Sequence, residues 1–233
     1  MKQYDVVIVG AGVAGGLIAL ELAKAGKQVL ILEAGDPIPS SRQQLMENFY
    51  RASIKTPGSP YPENKYAPFP DDTDKRLQDY YVQDKNRIFF KSTYDRLGGG
   101  TTWHWLGTSL RLLPSDFEMA TRYRQFTDWP IKYDELNQWY SKAEWAIGVA
   151  GNAVDQSYLG IHFPKEYDYP MEQIPISLVD QFIAKKINGM RIDNIELNVT
   201  ATPQGRNAPF RKNYTNGRRL CAGNTNCTPL CPI

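Results

Sequence analysis

Cysteine and histidine are the scarce residues of this 233-residue chain, three of the first and two of the second. An odd three cysteines is too few for a disulfide framework and leaves one thiol unpaired. A dominant charge is missing too. Lys and Arg total 27 against 25 Asp and Glu, a net of +2 with both signs interspersed. That argues against a nucleic-acid partner, which needs a basic patch to neutralise phosphates. No apolar run approaches the roughly 18 residues that read as a transmembrane helix. Met1 and Lys2 run almost directly into VVIVG, too short and too glycine-rich for an export core. The chain by itself reads as soluble and cytoplasmic, with room for a partner that carries it to a membrane or across one.

What is present is enough apolar residue for a core, 42%, with 12% aromatics and 16 prolines. That mixture favours long, ordered, aromatic-rich loops over disorder. The length fits one large domain or two small ones. The fold class expected is α/β. Asp5 to Val9 is a β-branched run, as a buried parallel strand has. Val13 to Ala25 has helical spacing and stops at Gly26, and Gln28 to Leu32 is a second apolar run closed by Glu33. Together they predict a β-α-β unit. Further helices are expected over Ser40 to Ser53, Pro114 to Arg122, Tyr133 to Ile147 and Ser177 to Asn188. Strands are expected over Arg87 to Lys91 and Ile192 to Thr200. Thr56 to Asp84 reads as a long loop excursion, functional at that length.

The first motif is Gly10-x-Gly12-x-x-Gly15, with Ala11, Val13 and Ala14 between the glycines. Gly10 permits the tight turn out of the strand. Gly12 lets the backbone approach a pyrophosphate, and Gly15 lets helix and strand pack closely. Amides at the helix start then face the phosphates. Glu33, with Ala34 after it, stands where a carboxylate accepts hydrogen bonds from ribose hydroxyls. An acid there argues against a 2′-phosphate. The pattern alone does not separate FAD from NAD.

The second motif is RLGGGTTWHWLG, from Arg96 to Gly107. Successive glycines suit a backbone passing close to a flat or charged ligand. Gly98 and Gly99 are candidate pyrophosphate donors, and Thr101 and Thr102 candidate partners of the same ligand. His104, between Trp103 and Trp105, is either a backbone-satisfied loop histidine or a residue beside the cofactor. His162 reads as a surface or packing histidine.

The third motif is Cys221-x5-Cys227-x3-Cys231-Pro232. It lacks the close cysteine pair and fourth ligand of a zinc site. A disulfide between two of the three remains open, with nothing selecting which. Three thiolates separated by small, turn-forming residues also suit an iron–sulfur cluster.

The N-terminal unit, then LGGGTTWHW, then DWPIKYDELNQWYSKAEWAIGV, in that order, resemble the glucose-methanol-choline (GMC) oxidoreductases over essentially the whole chain. The branch most similar is the large flavoprotein subunit of bacterial membrane-bound gluconate, glucose, sorbitol and fructose dehydrogenases. The resemblance implies a Rossmann-like FAD-binding domain with long loop and helical insertions, oxidising a CH–OH group of a sugar, sugar acid or polyol. It implies a first β-α-β unit over 1–36, insertions and a flavin-contacting loop (96–107) within 37–200, and a cysteine segment over 201–233. In pyranose oxidase relatives a histidine at the position of His104 is bonded to the flavin, so covalent FAD at His104 is an expectation. CAGNTNCTPLCPI resembles the segment in which three cysteines hold a 3Fe-4S cluster. Cys221, Cys227 and Cys231 are then its ligands, relaying electrons to a cytochrome c or quinone acceptor. The same branch implies a small exported subunit, a cytochrome c subunit and the periplasmic face of the inner membrane.

GMC enzymes run to more than twice this length, and their catalytic histidine, paired with a second histidine or asparagine, has no match here. The expectation is therefore an incomplete fold whose C-terminal half is absent, and no catalytic residue in this chain. Two other readings stay open: an FAD-dependent oxidase using oxygen, and a non-catalytic FAD- or cluster-binding assembly half. An NAD-binding protein with structural cysteines is a weaker third.

Overall fold

In the computed structural model, residues 2–35, 37, 42–53 and 96–210 are described, apart from the side chains of Arg42, Trp103 and His104. The expected loop Thr56 to Asp84, the strand Arg87 to Lys91 and the three cysteines lie outside the described residues. Among the described residues the chain divides into two units, with the boundary between Trp105 and Leu106.

The first unit is built on the expected β-α-β. Strand β1 (Val6–Val9) pairs in parallel with β2 (Val29–Leu32), Val6 opposite Val29 and Val9 opposite Leu32. Helix α1 (Val13–Lys24) crosses between them. Gly26, at φ +74°, turns the chain out of the helix, where a side chain would be strained. Asp5 fastens the far end of the pair by accepting from the Gln28 amide at 2.7 Å. Helix α2 (Arg42–Arg51) follows, anchored by the fully buried Leu45. By composition β1 and β2 are strands of a sheet covered on both faces. Here Val7, Val9, Ile31 and Leu32 are all exposed, and only Ile8 of the two strands is buried. Among the described residues the α/β, Rossmann-type organisation is thus present as one parallel pair and its crossover helix.

The second unit is mostly helix and ordered loop. A 3-10 turn (Pro114–Glu118) leads into the short α3 (Met119–Tyr123), then α4 (Tyr133–Ile147) and α5 (Leu178–Ile187). Two expectations change here. Pro114 to Arg122 is not one helix, because Glu118 leaves helical geometry at φ −124°, ψ 36°. Asp128 stabilises the break by accepting from the amides of Ala120 and Thr121 and from the Thr121 hydroxyl. Those bonds hold the Asp128 carboxyl below its ordinary range, the Thr121 hydroxyl contributing most. Ile192 to Thr200 is not one strand but a minimal hairpin, β3 (Arg191–Ile192) with β4 (Ile195–Glu196). Asp193 and Asn194 both take positive φ, 48° and 66°, as a tight two-residue hairpin turn requires.

Helix α4 has its apolar residues at the expected spacing. Tyr133 is buried with Phe117 and Ile161, and Leu136 and Tyr140 pack on that cluster. One of its polar residues, Glu144, is buried as well. Arg111, 6% exposed, donates to both oxygens of Glu144 at 2.8 and 2.7 Å, and to Asn137 and Ser141. Its guanidinium lies 4.3 Å from the centroid of Phe163 and 5.3 Å from those of Tyr140 and Tyr167. Tyr167 donates to Glu144. Burial alone favours losing the Arg111 proton, but the Glu144 pair and Tyr133 outweigh it and hold the cation more firmly than usual. Burial, then the Glu144 charge, pushes the Tyr167 phenol far above its ordinary range, so it remains a donor. A second cluster joins Ala150, Met171 and Ala208. Ala150 and Gln204 exchange backbone bonds of 2.7 and 2.9 Å there.

Helix α5 begins at a capping box. The Ser177 hydroxyl accepts from the Asp180 amide, and Asp180 accepts from the Ser177 amide. Its apolar side chains Leu178, Val179 and Phe182 face outward, 82%, 67% and 65% exposed.

Candidate functional site

The first unit brings the first two motifs together. Gly10, at φ +96°, turns the chain out of β1, and its amide bonds the Leu32 carbonyl at 2.7 Å. A Cβ on Gly15 would stand 2.1 Å from the Gly10 carbonyl oxygen, so α1 reaches β1 only because residue 15 has no side chain. Gly12 is different. A Cβ there would meet nothing closer than the Gly99 carbonyl at 3.8 Å and the Thr102 hydroxyl at 3.9 Å. The protein itself therefore leaves room at Gly12 for a side chain that the sequence does not supply. A ligand backbone is what fills such a space.

The start of α1 fits an anion. Gly12 is its cap and offers no side-chain acceptor, and no acidic residue lies in the first turn. The first amides of a helix lack intrahelical partners and carry the positive end of its dipole. Val13 and Ala14, exposed at this end, add no charge. Gly98 and Gly99 form the turn facing this loop. Gly99, at φ +92°, caps the 3-10 turn Gly100–His104 that carries Thr101 and Thr102, both exposed. Arg96 is half-buried at the entrance to this turn. His104 ends it, and its side chain lies outside the description.

Glu33 has a second task that its position in the sequence does not reveal. Its Oε2 accepts from the Ala11 amide at 2.8 Å and its Oε1 from the Gly35 amide at 2.7 Å. These bonds, Gly35 first and Ala11 next, hold the carboxyl below its ordinary range. The amides of Ala34 and Gly99 add smaller pulls in the same direction. The group stays ionised and exposed. Glu33 is exposed, so its carboxylate also presents an acceptor to ribose hydroxyls. The uncharged, glycine-capped start of α1, the bare Gly12 and the ionised Glu33 have the chemistry that a dinucleotide needs. FAD fits this set.

His162 is a surface residue, as its sequence context suggests. Its Nε2 lies 2.7 Å from Asp134 and its ring stands edge-on to Tyr133. Among the described residues no cluster of His, Cys, Asp and Glu could hold a metal ion, and no helix is long and apolar enough to cross a membrane.

A family model described as FAD dependent oxidoreductase matches residues 5–44, which hold the glycine loop and Glu33. The chain is 34% identical, over 98% of its length, to the fructose dehydrogenase large subunit of Gluconobacter japonicus. The chain belongs with the GMC oxidoreductases, in their N-terminal part. It is also 27% identical over 67% of its length to a 2-methyl-1,2-propanediol dehydrogenase of Mycolicibacterium austroafricanum. Over 66% it is 23% identical to a gluconate 2-dehydrogenase flavoprotein of Pantoea cypripedii. This GMC chain spans 40% of the length of the first relative, and the matched regions cover 26% of each of the other two.

Sequence reasoning on this GMC chain missed one residue of the site. Gly35 stands two residues after Glu33, where the sequence offers no mechanical reason for a glycine. The structure offers one, since a Cβ there would meet the Leu97 backbone.

Proposed function

We propose that this chain is the FAD-binding N-terminal part of a dehydrogenase that oxidises a CH–OH group of a sugar, sugar acid or polyol. The observation that carries the reading is the shared space at Gly12, Gly99 and Thr102, with the ionised Glu33 beside it. The similarity to the fructose dehydrogenase large subunit supplies the substrate class. FAD, when bound, supplies the acceptor for the hydride of the alcohol carbon. The work of this chain is binding and orientation. The amides at the start of α1 would hold the pyrophosphate, with Gly98 and Gly99 of the facing turn as further contacts. Glu33 accepts from the ribose and, being ionised, repels a 2′-phosphate. Thr101 and Thr102 donate to the cofactor, and Arg96 supplies positive charge at the turn. By the resemblance, His104 would stand beside the flavin and carry a covalent bond to it.

The remaining parts of the reading come with the resemblance. Cys221, Cys227 and Cys231 would hold a 3Fe-4S cluster passing electrons to a cytochrome c or quinone. A small exported subunit would bring the assembly to the periplasmic face of the inner membrane. The proton-abstracting histidine would lie in the part of the relatives that this chain does not span, continuous with it or separately encoded. The exposed apolar residues of β1 and β2 support such a complement, because parallel strands are ordinarily covered on both faces.

An absorption spectrum and an iron assay on anaerobically purified protein test this reading. Flavin bands with about three irons per chain support the relay dehydrogenase. Flavin without iron removes the cluster, and neither removes the whole reading. Acid precipitation that leaves all flavin in the supernatant removes the bond at His104.

A further inference from the structure

Gly35 lies three residues beyond β2, outside the glycine motif. Its backbone is not among those at positive φ, so conformation does not demand glycine there. Space does. A Cβ on residue 35 would lie 2.2 Å from the carbonyl carbon of Leu97, 2.4 Å from its oxygen and 2.7 Å from its nitrogen. These are backbone atoms, which cannot swing aside as a side chain can. Leu97 is itself 3% exposed and held in place. The Gly98–Gly100 turn begins directly after it, and the Gly100 amide bonds the Leu97 carbonyl at 2.7 Å.

On its other side Gly35 donates to Glu33, and Glu33 accepts from Ala11. The contacts therefore close a ring. Ala11 holds Glu33, Glu33 holds Gly35, Gly35 rests on Leu97, and Leu97 starts the turn whose Gly99 and Thr102 face Gly12. We propose that Gly35 is a positioning residue for FAD: its bare contact with the Leu97 backbone sets the height of the Gly98–Gly100 turn over the phosphate loop. It touches no reacting atom. It acts by fixing the distance between Glu33 and the turn that faces the phosphate loop. This rests on the FAD reading above.

The test is a Gly35→Ala variant of the full chain, titrated with FAD by flavin fluorescence and melted without ligand. The control is Phe117→Leu, which loosens the separate core of the second unit. Positioning predicts that Gly35→Ala weakens FAD binding at least tenfold with an altered flavin spectrum. Phe117→Leu should lower the melting temperature and leave the dissociation constant unchanged. Wild-type affinity in Gly35→Ala overturns the proposal and leaves the FAD reading intact. No FAD binding by the wild-type chain overturns both. Hydrogen exchange on the wild-type chain covers the case of a variant that does not fold. AMP, which carries the ribose and a single phosphate, should slow exchange at Gly35 and across 98–100 together. Protection at Gly35 with none at 98–100 overturns the proposal.

Discussion

In the first unit the tightest packing is backbone on backbone, Gly15 against Gly10 and Gly35 against Leu97. In the second it is side chain on side chain, a buried Arg111–Glu144 pair walled by Phe163, Tyr140 and Tyr167. The two arrangements fail differently. A glycine contact makes no bond and contributes little by itself, but it forbids any larger residue. A buried ion pair contributes little over a well-packed apolar pair, yet losing one partner strands a charge. The binding unit is thus specified by what must be missing, and the second unit by what must stay matched.

The largest effect should come from unmatching the pair. Glu144→Gln leaves Arg111 charged and buried, at a cost of about 3–5 kcal/mol in denaturant unfolding. Arg111→Met with Glu144→Leu should recover most of that loss. A double variant as unstable as the single one would show that the hydrogen bonds to Asn137 and Ser141 matter more than the charge. Next is Gly15→Ala. Its Cβ cannot coexist with the Gly10 carbonyl, so α1 must move off β1 at about 3 kcal/mol. FAD binding, read by fluorescence, should be lost with it. Retained binding would mean that the crossover helix is free to shift.

Glu33→Gln is milder. An amide has one acceptor oxygen where the carboxylate has two, so its NH2 group must face either the Ala11 or the Gly35 amide. FAD affinity should fall about tenfold, the scale of a lost charge-assisted bond. The pH dependence follows from the depressed carboxyl. Its contribution to stability is complete above its ordinary value of 4.5 and fades as pH falls through the lower folded value. Glu33→Gln should flatten that part of the profile, which a melting series in acid would show. The smallest effect is Ser177→Ala, which removes the cap of α5 for about 1 kcal/mol. An unchanged melt would place α5 outside the cooperative unit.

How much was legible in the sequence follows the same division. The β-α-β unit could be read because turn, close approach and acid stand at fixed short offsets, each demanding a residue type. Helix α4 could be read because its apolar spacing also matches what it buries. The contact between Gly35 and Leu97 could not, because nothing local marks two backbones destined to touch. Glu144 looks like any helix-surface acid, and only the fold brings Arg111 to it across 33 positions. The hairpin at Asp193 and Asn194 hid behind apolar neighbours, since its turn lacks the glycine that usually marks one. The break at Glu118 hid because the residue that stabilises it, Asp128, lies beyond the helix.

Helix α5 also sets how the protein will behave in the laboratory. Leu178, Val179 and Phe182 form a greasy flank on a firmly capped helix. Raising salt or concentration will drive such flanks together, and mild detergent will keep them apart. The column profile of this protein will therefore report the solvent as much as the sequence.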